Sequence, residues 1–399
     1  MTEGHVNRTR PKNLEDQSLN QAWRKRWPIV LAMLAALVLA TSGCAGGVRA
    51  SSWTGLTVVG DRLYAADLQQ ARAMDAATGE TIWTFPRNPE EENRGLFYAT
   101  PAVEDDDQVF FASQLTTGGF LSQRESIVWA LDAEDGHELW RFEGATGMYV
   151  EGGALGPDLF VIGNGDGNVY ALDREDGSVR WVFETDHRVW ATPLIVEDTV
   201  YVGSMDRSLY ALDLDDGDLR WEFSGEGAFG AQPALVNGVL YIGAFDDAVY
   251  AIDVETGDER WAFQGEDWFW GSPAVSEGIV YVVDVKGRVY ALDAASGDEI
   301  WQKLLVTDQN QPVPVRAGPT LDSDNGRLFV SAQSGMLYAL DIADGFVDWS
   351  IPAEGRGLSE PVVADSLVYQ SLVLGTARVR ALDAVDGREA WAFPQPEED

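Results

Sequence analysis

One eleven-residue pattern, Ala-x-Asp-x-x-x-Gly-x-x-x-Trp, recurs eight times in this 399-residue chain. The copies begin at Ala73, Ala130, Ala171, Ala211, Ala251, Ala291, Ala339 and Ala381. Each keeps Ala, Asp, Gly and Trp at its first, third, seventh and eleventh positions. The tryptophans are Trp83, Trp140, Trp181, Trp221, Trp261, Trp301, Trp349 and Trp391, spaced by 57, 41, 40, 40, 40, 48 and 42 residues. A repeat of roughly 20–50 residues marks stacked units, none of which can bury its apolar faces alone. The chain is too long for one ordinary domain, so the repeat decides for an array over a single large core.

Each unit reads as four short strands bounded by turn residues. In the fourth unit these are Ala191–Glu197, Thr199–Ser204, Ser208–Asp213 and Leu219–Phe223. The turn signals between them are Glu197-Asp198, Met205-Asp206-Arg207 and Asp215-Asp216-Gly217-Asp218. No stretch after residue 50 sustains a helical period. Within the motif, Gly supplies a positive φ at the third turn, and the Asp carboxylate accepts backbone N–H groups there. The Trp then stacks between neighbouring sheets. A four-stranded sheet cannot cover both of its faces, so the copies pack around an axis, and eight of them close a ring. The sequence thus predicts an all-β fold, an eight-bladed β-propeller of four-stranded antiparallel blades over residues 53–394, with an acidic tail at 395–399.

At these residues the chain resembles the pyrroloquinoline-quinone (PQQ) repeat family of β-propellers, whose hallmark is this Ala/Asp/Gly/Trp tryptophan-docking motif. The resemblance covers residues from about 53 to 394. It is specific for architecture and not for cofactor, because the family includes both quinoprotein dehydrogenases and non-catalytic propellers of the outer-membrane assembly lipoprotein type. The dehydrogenases resemble larger chains with a vicinal cysteine pair over the cofactor and an Asp base beside Glu and Asn ligands of a calcium ion. This chain has one cysteine, so it departs from that pattern. The resemblance implies a non-catalytic module without a cofactor; the alternative is a PQQ- or sugar-binding propeller, in the extreme a quinoprotein oxidoreductase, which leaves PQQ and Ca²⁺ open.

Residues 1–44 read as a polar extension followed by an export signal, and 45–52 as a linker. Arg24, Lys25 and Arg26 precede an uncharged run of 12 residues, Ile29 to Ala40, shorter than the ~20 residues that span a bilayer. The single cysteine comes next, in Thr41-Ser42-Gly43-Cys44, which resembles a bacterial lipobox. There Cys44 carries the lipid and becomes the mature N-terminus; an uncleaved anchor or a secreted protein with a stray thiol is the alternative. The basic cluster places the residues after Cys44 outside the cytoplasm, and the lack of twin arginines favours export of an unfolded chain. The expected location is extracytoplasmic and membrane-anchored, as a cell-membrane or outer-membrane lipoprotein.

The 65 acidic against 28 basic residues give a net charge of −37. Six of the basic and three of the acidic residues lie within residues 1–44, so the remainder carries 22 against 62, a net of −40. A surface of this sign repels nucleic acid. Self-repulsion on this scale is relieved by salt or divalent cations, which predicts a saline or cation-rich exterior. The carboxylates are too numerous for any pair to be nominated as general acid and base. Asp206, Asp246 and Asp247 read either as axial ligands of a hard cation or as plain turn carboxylates, and the turn reading is preferred. His137 and His187 share no motif, so no metal site is assigned. The segment Gly163–Asn168 joins two strands, which excludes a dinucleotide loop.

Departures from the repeat period mark a partner face. With the units aligned on Pro101, Pro193, Pro233, Pro273, Pro319 and Pro361, extra residues fall between blades at Trp83–Pro101 and Trp301–Pro319. More fall between the second and third strands of the second unit, at Gln114–Ser126. In a four-stranded blade both kinds of connection emerge on one face. That rim also gathers aromatics: Tyr98, Trp190 and Trp270 stand three residues before the proline, Phe97, Phe229 and Phe269 one residue earlier, and Tyr149 is the equivalent in the third unit. Arg316 and Leu358 take the place in units seven and eight. Of five tryptophans outside both the motif and the N-terminal segment, Trp53, Trp129, Trp190, Trp268 and Trp270, three lie on this rim. Aromatics and arginine are frequent binding anchors, so Tyr98, Tyr149, Trp190, Phe229, Trp268, Phe269, Trp270 and Arg316 form the expected site. The alternative is that they fill contacts between inner strands. The expected partner is an envelope protein or an extended peptide, bound by a monomer or within a hetero-complex.

Overall fold

The computed structural model describes residues 55–104, 107–117, 123–307 and 309–394. The export segment, Cys44, Trp53 and the acidic tail lie outside the described residues. The described chain is all β, with eight four-stranded antiparallel sheets whose strands pair in sequence order. The fourth blade is representative, with Leu194–Val196, Thr199–Gly203, Ser208–Asp213 and Leu219–Ser224. Its first strand is shorter than the sequence reading because Ala191–Pro193 approaches the axis without ladder pairing. First strands of neighbouring blades lie side by side, and the ring closes where Val362–Ala364 of blade eight meets Leu56–Val59 of blade one. Among the described residues, no strand is exchanged between blades.

The motif explains why separate sheets hold together. In every blade the motif Ala pairs directly opposite the motif Trp across the third and fourth strands, as in Ala171 with Trp181 and Ala251 with Trp261. The Trp ring reaches the next blade and lies on its motif Gly. Gly217 has φ +76°, and a Cβ there would stand 2.7 Å from the Trp181 ring, so conformation and space both demand glycine. The indole N–H donates to the carbonyl three residues after the next motif Ala: Trp181 to Leu214 at 2.8 Å, Trp261 to Ala294 at 3.0 Å. Trp391 of the last blade donates to Ala76 of the first at 3.0 Å, so closure uses the same joint as the other seams that form this bond. The motif Asp caps the hairpin, with Asp253 Oδ1 accepting from the backbone N–H of Glu255 at 3.0 Å and Thr256 at 3.1 Å. Apolar clusters fill the space between blades, as with Val161, Val169, Val200, Val202 and Leu212 between blades three and four.

One joint differs. The Trp349 indole N–H is buried without an acceptor, and the Ala384 carbonyl accepts instead from Arg327 Nη1 at 3.0 Å. Blade eight also replaces the third-strand tyrosine found in blades three to seven with Arg380, 2% exposed. Its guanidinium donates to Gln370 Oε1 at 2.8 Å and to the Pro352 and Ile351 carbonyls at 2.9 and 3.0 Å. Desolvation lowers its pKa to about 10.

Candidate functional site: an aromatic rim around an axial channel

The connections between blades share a face with the turns between second and third strands, since the two hydrogen-bond to each other around the ring. Met205 N–H donates to the Arg188 carbonyl at 2.9 Å, Phe245 N–H to Ala228 at 3.0 Å, Val285 N–H to Trp268 at 2.9 Å and Gln333 N–H to Pro314 at 2.9 Å. The described part of the second blade's extra residues extends the ladder: its second and third strands run Gln108–Thr117 and Gln123–Asp132, paired out to Thr117 with Gln123. Asp206 and Asp246 serve their turns. Asp206 Oδ2 accepts from Tyr210 Oη at 2.9 Å and from Asp186 N–H at 3.1 Å, and Asp246 Oδ2 accepts from Tyr250 Oη at 2.7 Å. Asp247 takes the turn position with φ +67°. His137 Nδ1 lies 2.6 Å from Asp135 Oδ1 and 4.0 Å from Asp132, an exposed hairpin contact that raises the imidazole pKa, chiefly through the Asp135 hydrogen bond.

Part of the aromatic set gathers into one stack. Phe245 lies against Trp268, with centroids 5.6 Å apart and planes 12° apart, and against Trp270 at 5.0 Å and 23°. Trp190 adds to it 6.2 Å from Trp270. Arg188 covers Trp190, at one end of the stack, at 5.8 Å, and Arg316 covers Trp270, within it, at 5.4 Å, so two exposed cations lie on its rings. Trp268 is 48% exposed.

The remaining expected residues are packed inside. Phe229 (0% exposed) lies between blades against Phe223 and Tyr250. Phe269 (1%) packs on Tyr290. Tyr98 and Tyr149 are buried too, and burial pushes the Tyr149 hydroxyl up. Alternation explains the split: in Trp268-Phe269-Trp270 the outer two face the rim while the middle one enters the core. Trp129 is fully buried, its N–H donating to Ser113 Oγ at 2.8 Å.

Inside the rim lies an axial cavity of about 360 Å³ lined from all eight blades, from Leu56 of the first to Glu360 of the last. Glu360 Oε1 accepts backbone N–H groups from two other blades, Ser272 at 2.9 Å and Gly318 at 3.2 Å. Gly318 packs so closely on that oxygen that a Cβ would overlap it. Burial raises the Glu360 carboxyl. Burial, and then the Glu360 charge, push Glu151 up to about 8.

Sequence reasoning missed Phe245, Glu151 and Glu360. A large aromatic in the second turn, where blades three, four and six carry Gly165, Met205 and Val285, was a readable signal for Phe245. The glutamates stand immediately before the aligned proline or its counterpart, where other blades have Thr100, Thr192, Gln232, Ser272 and Gly318. Two acids in a ring of neutral residues were equally visible.

Eight tryptophan-docked blades around a channel define a PQQ-like propeller. More narrowly, the chain belongs to the family described as outer membrane protein assembly factor BamB, whose model matches residues 123–236, 221–325 and 314–399. BamB of Shewanella oneidensis is 34% identical over 85 residues, 21% of this chain; the match spans about a fifth of that relative's length (20%). The crystal structure of BamB from Moraxella catarrhalis aligns with TM-score 0.67 at 18% identity, covering 82% of this chain and 95% of that one. Quinohemoprotein alcohol dehydrogenase ADHIIG from Pseudomonas putida aligns with TM-score 0.57 at 18% identity, over 74% of this chain and 66% of that one. Both structural likenesses concern the fold. PQQ, the cofactor that the quinoprotein resemblance brings in, carries several carboxylates. The channel lining offers it one cation, Arg316, against Glu151 and Glu360, and Cys44 is the chain's only cysteine. That residue set does not fit the cofactor.

Proposed function

We propose that this protein is an extracytoplasmic, lipid-tethered, non-catalytic scaffold that binds an envelope protein or an extended peptide through its rim. The observation that carries the reading is the stack of Trp190, Trp270, Phe245 and half-exposed Trp268, with Arg188 over Trp190 and Arg316 over Trp270. Exposed aromatics beside arginine suit a binding hot spot, and two cations on a chain this acidic favour a partner segment carrying carboxylates next to its apolar anchor. Membership of the BamB family supports a scaffold role at the envelope, and Cys44 supplies the tether. The test is a membrane pull-down with the native chain and with Trp190→Ala/Trp270→Ala. The double variant is expected to lose the partner while keeping the native melting temperature; unchanged partners refute the rim. A dye-reduction assay with added PQQ and Ca²⁺ addresses the enzymatic alternative, and saturable turnover there refutes the scaffold reading.

A further inference from the structure

The axial channel contains a pair of carboxyls that the rim does not use. We propose that it is a binding site for one organic cation, an ammonium or guanidinium group, seated between Glu151 and Glu360. Both residues line the same cavity, three blades apart around the ring, at the register that carries a neutral residue in the neighbouring blades. Glu360 is pre-positioned: the N–H groups of Ser272 and Gly318 hold its Oε1, with the Ser272 side chain adding to that hold. Among the described residues, Glu151 forms no hydrogen bond or ion pair with another side chain. Arg316, the other charged group of the lining, lies over the Trp270 ring and pairs with neither glutamate. All remaining lining residues are uncharged. Two carboxyls in one cavity, neither of them paired with Arg316, are an unfavourable arrangement unless a proton or a cation joins them.

At neutral pH the proton fills that role, since Glu151 is pushed up to about 8. An arriving cation replaces it, so binding releases a proton and tightens as pH rises towards 8. A volume of about 360 Å³ admits an ammonium or guanidinium with an aliphatic stem. The cation can arrive as a free amine or as the lysine or arginine side chain of a bound chain.

The experiment is isothermal titration of the full chain at pH 6, 7 and 8, in two buffers of different ionisation enthalpy. About 0.3 M NaCl screens loose association with the acidic surface. The probes are cadaverine, the peptide acetyl-Gly-Lys-Gly-amide and CaCl₂. The expected result is saturable one-to-one binding of cadaverine or the peptide, with proton release and higher affinity at pH 8 than at pH 6. Glu151→Gln should weaken it about tenfold or more and abolish the proton release, while Phe346→Ala leaves it unchanged. The two amine probes separate a free ligand from a peptide-borne one. The proton count is read on the native chain, so the test survives a variant that fails to fold. Absence of saturable amine binding, binding without proton release, or binding of Ca²⁺ alone overturns the proposal. Loss of rim partners in the pull-down leaves it standing, because the rim variants do not touch either carboxyl.

Discussion

The docking joint can be weighed by comparing two glycines with the same backbone conformation. Gly217 and Gly238 both have φ +76°. A Cβ at Gly238 would meet only Val254 Cγ1 at 3.9 Å, whereas at Gly217 it would lie 2.7 to 3.1 Å from three atoms of the Trp181 ring. Gly→Ala at either site costs about 1–2 kcal/mol for the left-handed conformation. At Gly217 the indole must also move by most of an ångström. Overpacking of that kind costs about 1–3 kcal/mol, and loss of the Trp181 N–H bond to the Leu214 carbonyl at 2.8 Å costs about 1 kcal/mol more. The difference between the variants is therefore about 2–4 kcal/mol. With an unfolding entropy of about 2.1 cal/mol/K per residue, a propeller of this length loses roughly 1.5 °C per kcal/mol. Gly217→Ala should therefore melt about 3–6 °C below Gly238→Ala by circular dichroism, with red-shifted tryptophan fluorescence. Equal melting temperatures would show that the Trp–Gly contact contributes nothing beyond backbone conformation.

The same geometry sets the outcome of four other perturbations. Trp349→Phe should cost about 1 kcal/mol less than Trp221→Phe, because the Trp221 N–H donates to Val254 O at 3.0 Å and that of Trp349 has no acceptor; urea unfolding of the two variants checks this. Arg380→Ala should destabilise by about 3–5 kcal/mol, stranding the Gln370 amide oxygen and two carbonyls, and a melting temperature close to native would contradict it. Glu151 binds its proton more tightly folded than unfolded, so its contribution is complete below pH 4.5 and is lost as pH rises through about 8. Glu151→Gln should accordingly flatten the decline of melting temperature over that window and melt above the native chain at pH 8. Finally, melting temperature should rise with NaCl, as screening relieves the net acidity; a flat response removes the saline-habitat reading.

The blade count, the hairpin role of the motif Asp and Gly and the stacking of the motif Trp were legible because each repeat reports the same local chemistry eight times. The rim was legible only in part. Spacing from the aligned prolines placed Trp190, Trp270 and Phe229 on one connection, but only alternation along the chain decides which side chain faces out, and Phe229 and Phe269 face in. Phe245 comes from another turn of its blade, so its stacking on Trp268 and Trp270 is a tertiary fact. The Glu151 and Glu360 pair depends on ring geometry that brings residues 209 positions apart into one channel. Ring closure by Trp391 on Ala76 extends the motif logic, yet the sequence alone leaves closure by an exchanged strand equally open.

The central claim is that the rim, and not some other face, meets the partner. A photo-crosslinking amino acid at position 268, compared in intact cells with one at position 346, tests it most directly. Phe346 is more exposed than Trp268, at 62% against 48%, and sits in a third-turn hairpin, on the face away from the rim. The account predicts a discrete crosslinked protein from position 268 that disappears with Trp190→Ala/Trp270→Ala, and none from position 346. Equal crosslinking from both positions, or a species from 346 alone, would contradict it.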